Sequence, residues 1–146
     1  MKVLVIDGQG GRIGKMLVEQ LIASGAFADG ENSLIAIGTN SMATAAMLKA
    51  GASAAATGEN PVAVNCPDAD VIAGPIGIIA ADSLLGEVTP RMAFAIARSR
   101  AQKVLIPVSR CSITVAGLPQ LPAGESVRSA AEAILALLSE KNGDRT

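Results

Sequence analysis

The run KVLVID, residues 2–7, passes directly into GQGGRIG, residues 8–14, and then into KMLVEQLIA, residues 15–23. A short apolar run that ends in glycines and continues with helical spacing opens a strand–loop–helix unit, and no other stretch limits the fold as strongly. Residues 2–6 read as a strand that is β-branched and apolar on both faces, as a parallel strand covered by helices on each side must be. The following helix is expected from about 13 to 23, with Ile13, Leu17 and Leu21 in one stripe and Gly25 as a left-handed stop.

The same alternation continues along the chain. SLIAIG, 33–38, is a second strand, and Thr39, Asn40 or Ser41 can cap a helix over 42–50 that Gly51 halts. Residues 52–57 form a weak third strand, since alanine is a poor strand former. A short helical piece is expected around 61–65, a fourth strand in DADVIAG, 68–74, and then GPIG with an apolar segment over 78–85 that Gly86 ends. Thr89 and Pro90 read as cap and first residue of a helix whose apolar side would hold Met92, Phe94, Ile96 and Ala97. KVLIPV, 103–108, is the fifth strand, and CSITVAG, 111–117, is a possible sixth. The last helix is expected over 126–140, with Val127, Ala131, Ile134 and Leu138 in one stripe and Leu135 and Leu137 off it.

Strand and helix repeated five times with short connections predict an α/β fold: a Rossmann-like, doubly wound, mainly parallel sheet of five to six strands with helices on both faces. The 146 residues read as one such domain. Every apolar run is broken by Gly, Pro or a charge before reaching the roughly 20 residues of a membrane span. Together with the lack of a leader-like start, this predicts a cytoplasmic protein away from membranes.

Composition excludes further classes. A net charge of −1, two Phe, and no Trp or Tyr leave neither cationic tracks nor stacking rings for nucleic acid. Histidine is absent, which removes any imidazole base or imidazole metal ligand. Cys66 and Cys111 carry no metal-type spacing and fit free thiols in a reducing compartment. Only 17% of the residues are charged, against about 25% in typical domains, so a homo-oligomer is expected.

In a doubly wound sheet, ligands bind outside the carboxyl ends of the strands. The residues expected there are Asp7 to Gly11, then Thr39, Asn40 and Ser41, then Gly58 to Asn60, then Gly74, Pro75, Ile76 and Gly77, and finally Ser109, Arg110 and Cys111. Gly8, Gln9, Gly10, Gly11, Arg12 and Ile13 form a loop whose bare backbone can approach a phosphate at the start of a helix; a plain tight turn is the alternative. The spacing is not that of a Walker loop, and the hydroxyl that would hold magnesium is missing, which argues against an NTPase. Asp7 reads either as an Asx-type turn residue or as a magnesium ligand or general base, with Glu59 or Asp82 as a second carboxylate. Thr39, Asn40 and Ser41 offer neutral donors or an ordinary cap, and no acidic group stands there for a ribose diol. GPIG either exposes backbone to a ligand or makes a rigid turn. Arg110 can clamp an anion and activate Cys111, although a thiol nucleophile would lack its usual histidine partner and a packed or exposed cysteine is the plainer reading.

GQGGRIG resembles the dinucleotide-binding loop of dihydrodipicolinate reductases, GxGGRMG, and the resemblance implies contact between Arg12 and a cofactor phosphate. It covers about a dozen residues. That family's catalytic histidines have no counterpart here. Over nearly its whole length the chain resembles a family of short bacterial proteins of unknown function, through IDGQGGRIGK, GTNSMATAAMLKAGA, ATGEN, DADVIAGPIGI, ADSLLGEVTP and KVLIPVSRC. That resemblance implies no activity. The residues lead to the expectation of a protein that binds a nucleotide, NAD(P)-like, or another phosphorylated metabolite. A regulatory or scaffold oligomer, and a small reductase or transferase using Asp7, Asp82 or Cys111, are the alternatives.

Overall fold

The computed structural model describes residues 1–108 and 112–144. Five parallel strands make one sheet in the order β3-β2-β1-β4-β5: β1 Lys2–Asp7, β2 Ser33–Gly38, β3 Ala54–Thr57, β4 Val71–Pro75 and β5 Gln102–Ile106. The helices are α1 Arg12–Ala23, α2 Ser41–Lys49, α3 Glu59–Asn65, α4 Pro90–Arg98 and α5 Ala123–Gly143. The expected Rossmann-like, doubly wound α/β fold is therefore present, with the winding reversed between β1 and β4.

Strand β1 shows why its sequence is apolar throughout. Val3 and Val5 enter one core with Leu17, Val18 and Leu21 of α1 and with Val127, Ile134 and Leu138 of α5. Leu4 and Ile6 enter the other, with Val62 of α3 and Met92 and Ile96 of α4. Neither face meets water, so the alternation of period two separates two buried sides.

Two expectations are corrected. Phe94 is 60% exposed, because it lies two residues from both Met92 and Ile96 and so points away from the stripe they share with Ala93. Its ring lies under the Arg98 guanidinium, 5.5 Å from the centroid. Ala97 is exposed as well. Residues 112–117 form no strand; Ser112, Ile113, Thr114 and Val115 instead line a cavity beyond β5.

Thr89 caps α4 as expected, its Oγ1 accepting from the Met92 N–H at 3.2 Å with Pro90 in the first turn. Between β4 and α4 the chain makes a 3₁₀ turn, Ile76–Ile79, and then a strap over residues 80–88. The strap is pinned at Val88, which is 1% exposed, while its tip, Leu85, is 97% exposed. Among the described residues no helix is long and apolar enough to cross a membrane.

Candidate functional site

The loop between β1 and α1 is shaped by Asp7. Its carboxylate is 4% exposed and accepts from the Gly8 N–H and the Gly14 N–H, both at 2.7 Å. The Ile13 N–H, close by, also favours the charged carboxylate. Burial raises the Asp7 pKa and the nearby Glu87 carboxylate adds to the rise, while the three N–H groups oppose it. Asp7 thus does the turn-forming work expected of an Asx residue and also closes the first turn of α1.

Gly11 caps α1 in the left-handed region, φ 70, and a Cβ there would lie 2.7 Å from the Ala43 Cα of α2. At Gly14 a Cβ would lie 2.5 Å from Met47 Sδ and 2.9 Å from Asp7 Cβ. Gly10 differs: nothing stands within 4 Å of the place a Cβ would take. The Gly10 and Arg12 N–H groups meet no acceptor among the described residues.

A second carboxylate, unforeseen in the sequence, completes the loop. Glu87 of the strap accepts from the Gln9 N–H at 3.1 and 3.2 Å, from Thr39 Oγ1 at 3.1 Å and from Asn40 Nδ2. Asn40 is simultaneously the cap of α2, its Oδ1 accepting from Ala43 N–H at 2.9 Å, and it donates to the Gln9 carbonyl at 2.9 Å. Ser41 begins α2 and is exposed. The only hint in the sequence is an isolated acid between the apolar SLLG and the TP helix start.

On the other side of the loop, at the reversal of winding, lies a cavity of about 620 Å³. Residues 7–13 and Pro75 form one side, Leu84 the roof, and Val108, Ile113, Leu118 and Leu121 much of the apolar wall. The sheet therefore brings Asp7, Gly8, Gln9, Gly10, Gly11, Arg12, Ile13 and Pro75 together. Gly74 and Gly77 are buried, Gly74 against the Ile6 carbonyl, and Ile76 is half-buried; none of the three lines the cavity. Asp82 is exposed in the strap. Glu59 accepts from Thr89 Oγ1 at 2.7 Å and faces Arg91 at 3.6 Å, tying α3 to α4. Arg110 and Cys111 lie outside the described residues. Cys66 is fully buried and its thiol is pushed up to about 11 by burial, which leaves it unreactive. Among the described residues no group of three or more His, Cys, Asp and Glu could hold a metal ion.

A five-stranded parallel sheet, wound in both directions from a glycine loop that borders a cavity, defines the class: a small Rossmann-like α/β domain. Residues 2–139 match the family described as Domain of unknown function (DUF3842), and the chain belongs to that family. No curated protein and no solved structure matches it.

Proposed function

We propose that this domain binds a small phosphorylated metabolite of about mononucleotide size in the cavity beside the glycine loop. One observation carries the reading: about 620 Å³ of space, within the usual range for small-molecule sites, borders a loop whose Gly10 and Arg12 N–H groups have no acceptor among the described residues. The Arg12 guanidinium is exposed, with no carboxylate in ion-pair range among the described residues, and can close on the same phosphate. Pro75, Val108, Ile113 and Leu118 give the remainder of the ligand an apolar bed. Asp7 borders the same cavity, and its carboxylate oxygens are taken up by the Gly8 and Gly14 N–H groups of the loop's own backbone.

Thermal denaturation with AMP, ATP, NAD, NADP and sugar phosphates tests this. A ligand present at about a hundred times its dissociation constant adds about 2.7 kcal/mol of stability. Gly10→Val is the variant of choice, because the added side chain enters open space and blocks the phosphate without disturbing the loop. Stabilisation by none of the ligands, or unchanged affinity in that variant, removes the reading.

A regulatory or scaffold oligomer is supported by a different observation. Val64 on α3 and Phe94 on α4, helices that pack together, are 63% and 60% exposed. Light scattering on wild type and Phe94→Glu decides: a monomer in both cases removes it.

A further inference from the structure

A doubly wound cleft has two halves, one on each side of its first strand. Here the cavity occupies the β4 and β5 half. The other half, over the ends of β1 and β2, is filled by the strap. A Cβ on Gly8 would lie 2.5 Å from Thr39 Oγ1 and 2.8 Å from Leu84 Cδ1, with Glu87 Oε1 at 3.7 Å. These side chains occupy the space beside Gly8 on the β2 side.

The strap is held by its own turn bonds, from the Gly86 N–H to the Asp82 and Ser83 carbonyls at 3.1 and 3.2 Å and from the Glu87 N–H to the Leu84 carbonyl at 3.1 Å, and by contacts with the loop beneath it. Asp82, Leu84 and Leu85 have φ of 65, 54 and 56, and Gly86 has 87. Leucine has no side-chain group to relieve that conformation, so it persists only where other contacts impose it. Leu85 at the tip is solvent-exposed and imposes nothing. The base is closed by the Asp82 N–H to the Val88 carbonyl at 2.7 Å, the Val88 N–H to the Ser83 carbonyl at 3.2 Å, and Ser83 Oγ to the Gly77 carbonyl. The roof is held by Leu84 on Gly8 and by Glu87 on Gln9, Thr39 and Asn40.

We propose that Glu87 is a latch that selects ligands by length. With the latch shut, the site admits a compact phosphorylated ligand. A dinucleotide must lay its second nucleoside over the end of β2, and it enters only when Glu87 gives up its three donor groups. Once freed, Gln9 N–H, Thr39 Oγ1 and Asn40 Nδ2 are donors placed for sugar or phosphate oxygens. The selection rests on the metabolite reading of the cavity, whereas the latch itself stands apart from it.

Hydrogen exchange of the ligand-free protein tests the latch. Glu87→Ala is expected to speed exchange of Gln9 and of residues 82–88 by about tenfold, as loss of a charged hydrogen-bond anchor should, with the interiors of β1 and α1 unchanged. Thr39→Val, which removes one of the donors, is expected to speed the same amides less. Wild-type exchange of the strap in both variants overturns the latch. If Glu87→Ala loosens the whole domain, Thr39→Val alone decides by the same criterion. Calorimetry then tests the selection, with NAD expected to bind Glu87→Ala about tenfold more tightly than wild type and AMP to change by less than about threefold. NAD binding that is equal, weaker or undetectable in the variant overturns the selection. Failure of AMP to bind wild type, with strap exchange responding as expected, counts against the metabolite reading and leaves the latch in place.

Discussion

Two pairs of carboxylates, one at each rim of the sheet, are held in opposite ways. At the amino-end rim, Asp68 meets Lys2 Nζ at 2.6 Å, and Asp70 accepts from the Lys2 N–H at 2.8 Å and from Lys141 Nζ. At the carboxyl-end rim, Asp7 and Glu87 are held by backbone N–H groups and by Thr39 and Asn40, with no lysine or arginine in ion-pair range among the described residues. Asp68 and Asp70 each meet a lysine. At the second rim Glu59 has Arg91, but the carboxylates of Asp7 and Glu87 beside the loop rest on neutral donors. Protonation follows the same division. Burial pushes Asp7 up despite its three N–H partners, whereas at Asp70 burial is outweighed by the bonds from Lys141 and the Lys2 N–H, which hold it down.

The largest expected effect comes from Gly11→Val, which forces a β-branched residue into the left-handed region against the backbone of α2. Urea denaturation should record a loss of about 3 kcal/mol or more, and a loss below about 1 kcal/mol would mean that α1 and α2 part easily.

Next is the contrast between the rims. Asp7→Ala leaves the Gly8 and Gly14 N–H groups buried without partners and should cost about 2–3 kcal/mol. Asp70→Ala removes a partly exposed ion pair and one N–H bond, and should cost about 1 kcal/mol. Equal losses would erase the distinction.

Stability against pH should sharpen it. Asp7, with a raised folded pKa, contributes stability that is full below its ordinary value of 3.8 and is lost as pH rises through the raised value. Asp70, with a lowered one, contributes stability that is present above 3.8 and is lost as pH falls through the lowered value. Relative to wild type, Asp7→Asn should lessen the decline of stability above pH 3.8, and Asp70→Asn should lessen the loss on acidification. Parallel curves for both variants would contradict the assignment.

The smallest stability effect belongs to Gly10→Val, within about 0.5 kcal/mol of wild type, since the new side chain meets no atom. A larger change in its denaturation curve would show that Gly10 shapes the loop rather than serving a ligand.

Most of the fold was legible because burial on both faces leaves uninterrupted apolar runs, as in β1, and because Thr89 with Pro90 marks a helix start in the residues themselves. The weak strand expected over 52–57 is present as β3, Ala54–Thr57, despite its three alanines. Phe94 is not legible in this way, because a nine-residue helix with several apolar residues leaves its buried face undecided until a partner is known. Residues 112–117 look like a strand from composition, yet they serve as cavity wall. Asp7 was readable as a turn residue because its bonds to Gly8 and Gly14 are local. Glu87 was not, since it reaches Gln9 from 78 positions away, a meeting that only the strand order creates.

Helix α5 runs for 21 residues, a rod of about 30 Å. Ala123 at its head borders the cavity, and Lys141 near its tail grips Asp70 under the opposite rim. One stiff element therefore joins the two rims, its length packed on α1 and β5. Were a cavity ligand to move the head, the Asp70 resonance is where the motion should register.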